Sequence, residues 1–123
     1  MAASCLQYSM PQPPAVFYGA EAGMTGLSDP FNRGAFPWGN EDKALTEHYQ
    51  RLGRIRRRSN ALALGETAFL PVNDDVFAIY RRFEGETVLT VVNRSRESRS
   101  AEFFESSFTE GPDAGRVRFA PEY

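Results

Sequence analysis

The residue pattern predicts an α+β chain, helical in its first half and built of short antiparallel strands in its second. Three observations carry that reading. Leu45, Tyr49, Leu52 and Ile55 recur at helical spacing. From Thr67 onward, short runs rich in β-branched and aromatic residues alternate with turn residues. Ahead of both lies a short apolar run at 15–18, followed by a long Gly- and Pro-rich stretch at 19–39.

Residues 2–10 read as the last turns of a helix, ended by the cluster Pro11-Gln12-Pro13-Pro14, because proline lacks a donor and biases its predecessor away from helix. Residues 15–18 are wholly apolar and predict a strand buried on both faces. The loop that follows is long for a structureless connection, and such loops are often functional. Asn40 is the expected N-cap of the next helix, with Glu41 and Asp42 in its first turn. Arg54, Arg56, Arg57 and Arg58 suit the negative end of its dipole, and residues 60–65 end it. Strands are predicted at 67–72, 76–83 and 87–93, with turns at Asn73-Asp74-Asp75 and Glu84-Gly85-Glu86. Weaker strand signals follow at 101–104 and 116–120.

Composition excludes several classes. With 41% hydrophobic and 13% aromatic residues, the chain has the makings of a folded core. A net charge of −2 offers no overall field for nucleic acid. No apolar run is long enough for a membrane-spanning helix, and the N-terminus has no signal-peptide pattern. Cys5 is the sole cysteine, so no intrachain disulfide can form; a reducing compartment fits, and a cytoplasmic location is the expectation.

The segment Pro14-Ala-Val-Phe-Tyr18-Gly19-Ala20-Glu21, then Asp29-Pro30-Phe31-Asn32-Arg33 and Pro37-Trp38, resembles one family closely. That family is the α-amylase superfamily of glycoside hydrolases, on its neopullulanase and maltogenic-amylase side. Leu52-Gly-Arg-Ile-Arg56 with Ala61-Leu62, the run Asp75-Val-Phe-Ala-Ile-Tyr-Arg81 and the run Val88-Leu-Thr-Val-Val-Asn-Arg-Ser95 extend the resemblance over nearly the whole chain. Ala20, Gln12 and Asn60 depart from the family's usual Asp, Gly and Pro.

The resemblance implies the last β/α unit of a (β/α)8 barrel in residues 1–65, followed by a small antiparallel β-sandwich in 66–123. A whole barrel needs roughly 250 residues, so the barrel here would be partial. The family cleaves or transfers α-glucosidic bonds with retention, using an aspartate nucleophile, a glutamate acid/base and a third aspartate. All three would precede Met1, so no catalytic residue, cofactor or metal is expected within these residues, and the chain alone is expected to be inactive. The resemblance makes Asp29 and Arg33 the substrate-binding residues, hydrogen-bonding glucose units of an α-glucan or maltooligosaccharide. The alternative is that Asp29 caps the Asp-Pro turn and Arg33 pairs with it. A non-catalytic α-glucan-binding or interaction module is the other reading of the chain as a whole. Partners implied are the missing barrel part, or a second copy associating through strand 15–18, and neither nucleic acid nor a membrane.

Other candidates have plain structural readings beside them. Glu21 could orient the loop, and Trp38 and Phe31 could stack on sugar rings or pack against the next helix. His48 stands without a carboxylate or cysteine set at metal-ligand spacing, which predicts a histidine on the helix surface or half-buried. Cys5 has no histidine partner in sequence and reads as a buried thiol. Glu41-Asp42 and Asp74-Asp75 are better explained as a helix start and a turn. The glycines at 19–26 lack the phosphate-loop pattern. The arginines at 51–58 read as a solvated helix end.

Overall fold

A computed structural model describes residues 1–101, and the expected strands at 101–104 and 116–120 lie outside or at the edge of that range. Three helices and three strands form: α1 (Ala2–Ser9), α2 (Lys43–Arg58), α3 (Asn60–Leu64), β1 (Glu66–Pro71), β2 (Val76–Phe83) and β3 (Glu86–Asn93). A single 3-10 turn, Ala20–Ala22, lies in the long loop.

The strands make an antiparallel meander in the order β1-β2-β3. The β2–β3 hairpin turns on Glu84 (φ 43°) and Gly85 (φ 83°), between the paired residues Phe83 and Glu86. Two positive φ values in a two-residue loop match the twist of the flanking strands. The β1–β2 turn is held by Asn73, whose Oδ1 accepts from the backbone N–H of Asp75 and of Val76, both at 2.9 Å. Short side-chain acceptors of this kind pre-form a turn.

Ile79 of β2 pairs with Phe69 and Thr90, so these three share the face on which α1 and α3 pack. Val76, Ala78 and Tyr80 occupy the other face and are buried too. Ala61 and Leu62 of α3, Leu52 of α2, Val92 of β3 and Ala22 of the loop are buried with them.

The expected strand at 15–18 does not form. A strand needs a neighbour to bond, and none of the three strands lies beside this segment. Its backbone bonds are Ala15 carbonyl from Gln7 Nε2 (2.6 Å) and Phe17 carbonyl from the Ala20 N–H (2.9 Å). Phe17 is left 70% exposed.

Two helix boundaries also differ. Asp42, not Asn40, caps α2, accepting from the Leu45 N–H at 3.0 Å. Asn40 is drawn into a turn, its N–H donating to the Pro37 carbonyl. Residues 60–64 do not end α2 but start a new helix. Ser59 breaks the run in an extended conformation and its Oγ accepts from the Leu62 N–H at 3.1 Å. Glu86 reaches across from β3 and accepts from the Ala61 N–H at 3.0 Å. Bonds to Ser59 and to the start of α3 hold the Glu86 carboxyl below its usual range, against the opposing effect of burial.

Candidate functional site

The loop at 19–39 is anchored at both ends and open in the middle. Its start docks on α2: the Ala22 carbonyl accepts from the Asp42 N–H (3.0 Å), and the Glu21 carbonyl accepts from Thr46 Oγ1 (3.0 Å). From there residues 23–41 carry no helix or strand.

Asp29 and Arg33 come together. Arg33 Nε donates to Asp29 Oδ1 at 2.7 Å, with both side chains mostly exposed. An ion pair this open to water contributes little to stability. Among the described residues, the remaining guanidinium nitrogens and Asp29 Oδ2 have no protein partner, so they face solvent as a fork of donors beside an acceptor. Such a pair can engage adjacent hydroxyls of a polyol.

Tyr18 and two aromatic residues of the loop form a group of their own. Tyr18 and Phe36 have ring centroids 6.0 Å apart, and Phe36 and Trp38 lie 4.5 Å apart at 48°. Trp38 is 80% exposed, so it does not pack against α2; Phe31 is exposed as well. Glu21 is half-buried, and its Oε2 has no hydrogen-bond partner among the described residues. Asn32 Oδ1 is also buried with no partner among the described residues.

The paired carboxylates do structural work. Asp42 is the α2 cap, and Asp75 Oδ2 accepts from Arg99 Nε at 2.7 Å.

His48 is buried, not on the helix surface. Its Nε2 lies 2.8 Å from Ser4 Oγ, which gives its own proton to the Met1 carbonyl at 2.6 Å. The histidine therefore donates to the serine. Burial, then the N-terminal ammonium, then Arg51 push the His48 pKa down, partly offset by a bond to the Met1 backbone. A base whose folded pKa is lowered binds its proton more readily when unfolded. Its contribution to stability is complete above the unfolded value, about 6.5, and is lost as pH falls below it. Thermal melting at pH 7.5 and 5.5 is expected to show a lower midpoint in acid, and His48→Gln is expected to flatten that difference. Cys5 is only half-buried, and burial raises its thiol pKa, which keeps it protonated at neutral pH.

Sequence reasoning missed the role of two arginines. Arg56, read as part of a solvated helix end, turns inward. Its Nη1 donates to the carbonyls of Tyr8 (2.6 Å) and Met10 (2.8 Å), and its Nη2 to those of Pro11 (3.2 Å) and Gln12 (3.0 Å). Arg81, in β2, takes the one between, with Nη1 on the Ser9 carbonyl at 3.0 Å. Five consecutive carbonyls at the end of α1 are thus met by two guanidinium groups. Spacing held the clue: Arg56 follows His48 and Leu52 at i+8 and i+4, on the buried side of α2.

No protein-family model matches the chain. It is 41% identical over 80 residues to the amylopullulanase of Thermoanaerobacterium saccharolyticum, a match over 65% of this chain and 6% of that protein. It is 40% identical over 89 residues to the cyclomaltodextrinase of Geobacillus thermopakistaniensis strain MAS1, over 69% of this chain and 15% of that protein. The chain belongs to the α-amylase superfamily. It matches a C-terminal fragment of that superfamily and spans between a twentieth and a sixth of these relatives' length. A solved structure agrees. The cyclic α-maltosyl-(1→6)-maltose hydrolase of Arthrobacter globiformis, in complex with cyclic α-maltosyl-(1→6)-maltose, superposes with a TM-score of 0.72 at 29% identity, over 76% of this chain and 22% of that one. Within this α-amylase-superfamily fragment, the described architecture is a three-stranded antiparallel sheet packed with helices.

Proposed function

We propose that this chain is the C-terminal portion of an α-glucan-acting glycoside hydrolase. Residues 1–65 are the last β/α unit of its (β/α)8 barrel, and 66–123 its C-terminal β-sandwich. Bond cleavage with retention needs two carboxyls about 5 Å apart across the glycosidic bond. Those groups come from sequence outside these residues, so the chain alone releases no sugar. Its part in the reaction is to hold glucose units in place: Arg33 donates to hydroxyls, Asp29 accepts from them, and their mutual ion pair yields to the sugar at small cost.

The observation that carries this reading is the state of residues 15–18. An uncharged, apolar segment lies largely exposed with no strand beside it, directly before a loop with two buried polar atoms that lack partners among the described residues. Buried polar groups are almost always bonded in a complete fold. A parallel sheet on either side of 15–18 would supply the missing neighbours, and the identity to α-glucan enzymes supports a (β/α)8 barrel as its source.

The test is a hybrid enzyme. The matched stretch of the Geobacillus cyclomaltodextrinase is replaced by the aligned residues of this chain, and hydrolysis of cyclomaltodextrin is followed. The hybrid is expected to be active. Arg33→Ala within it is expected to lower kcat/KM about tenfold, the loss of one charge-assisted hydrogen bond. A hybrid that folds cooperatively but hydrolyses nothing would overturn the reading.

A further inference from the structure

We propose a second sugar site on this chain, separate from Asp29 and Arg33: a surface ledge made by Phe36 and Trp38 that takes one or two glucose units of an α-linked glucan. It rests on the α-glucan reading above. The ledge borders a cavity of about 430 Å³ whose lining includes Glu21, Lys43, Glu47 and Gln50. Neither Asp29 nor Arg33 lines it.

The ledge is built, not incidental. Two tight turns fix it, the Trp38 N–H donating to the Phe36 carbonyl at 2.9 Å and the Asn40 N–H to the Pro37 carbonyl at 2.8 Å. Phe36 is half-buried against Tyr18 and supports the Trp38 ring from one side. The rest of the indole meets water. Leaving the largest apolar side chain of the sequence in solvent is unfavourable unless something covers it.

The chemistry around it selects the cover. A pyranose offers an apolar C–H face to an aromatic ring and hydroxyls around its rim. Gln50 offers both donor and acceptor, Lys43 donates, and Glu47 accepts. Three carboxylates (Glu21, Glu41 and Glu47) against one ammonium disfavour an anionic ligand, so a neutral polyol fits better than a phosphate or a nucleic acid. The 48° tilt between the rings favours a curved chain over a flat one. α-1,4-Linked glucose curves, and β-1,4-linked glucose runs flat.

Trp38 is the sole tryptophan, so intrinsic fluorescence reads this site and no other. The 123-residue chain is titrated with maltohexaose while emission and heat are recorded. A saturable blue shift is expected, absent with cellohexaose. Calorimetric affinity is expected to fall about tenfold or more in Trp38→Ala, the value of one stacked ring. Gln50→Ala, on the exposed face of α2, is expected to weaken binding severalfold with the indole in place, and Arg33→Ala to leave the emission response intact. Heat of binding with unmoved emission and unchanged affinity in Trp38→Ala would overturn the ledge and leave the α-glucan reading standing. An equal response to cellohexaose, or no response to either sugar, would also overturn it. The hybrid enzyme judges the broader reading independently.

Discussion

Arg81→Ala is expected to destabilise the fold more than any loss at the loop, by about 4 kcal/mol, from two buried carbonyls left unbonded and a cavity the size of the side chain. Arg81 is 1% exposed and stands in the middle strand of the sheet. It bridges two elements, with Nη1 on the Ser9 carbonyl of α1 and Nη2 on the Gly65 carbonyl after α3 (2.9 Å). Its Nε has no partner among the described residues. Burial, and then Arg56, lower its pKa, which says that the charge itself sits at a cost. Arg81→Met separates the two contributions. It keeps most of the packing volume and removes the desolvated charge, but it still strands both carbonyls. Its loss is expected to be about half that of alanine. Urea unfolding followed by far-UV circular dichroism measures all three proteins. An unchanged midpoint for Arg81→Ala would show that water replaces the guanidinium freely and that α1 is not held by it.

Much of this architecture was legible because local rules and tertiary packing agree. The β2 span was readable from its apolar run and its two turns, and the structure keeps it at Val76–Phe83. The turn expected at Glu84-Gly85-Glu86 forms one residue tighter, with Glu86 already paired to Phe83 in the sheet. The larger misses depend on residues distant in sequence. Whether 15–18 becomes a strand is set by neighbours that the rest of a barrel would supply. Arg56 looks like one member of a basic run until α1 is placed against α2. Then four carbonyls of 8–12, left without helical partners near a Pro-rich turn, need donors, and the negative end of α1 attracts a cation. Ser59 fails for a smaller reason. Residues 60–65 read as the end of α2, but the extended backbone at Ser59 lets it cap a new helix there, whose first turn also needs Glu86 from another strand. Asp29 and Arg33 were legible as a pair four residues apart. The aromatic group was not, because Tyr18, Phe36 and Trp38 meet only once the loop folds back.

Gly65→Ala is expected to be the second severe substitution, costing about 3 kcal/mol through forced overpacking. The backbone angles at Gly65 (φ −70°, ψ 156°) suit any residue, so conformational freedom is not the reason. Space is. A methyl group there would strike the Ala61 carbonyl and come within 2.6 Å of the Arg82 carbonyl. Both obstacles are main chain, one in α3 and one in β2, so neither can rotate aside. Relief requires α3 to lift off the sheet, which would strain the Glu86 bond to the Ala61 N–H and draw the Gly65 carbonyl away from Arg81. The two severe sites are therefore coupled. Once Gly65→Ala has displaced the carbonyl, Arg81→Ala has less left to break, and the double variant is expected to lose less than the sum of the two. Gly53 is the control. It lies within α2 with nothing inside 4 Å of where a methyl would stand, so Gly53→Ala is expected to stabilise by up to about 1 kcal/mol. Additive losses at 65 and 81 would mean that α3 and Arg81 hold the sheet independently, and that the carbonyl between them is not their link.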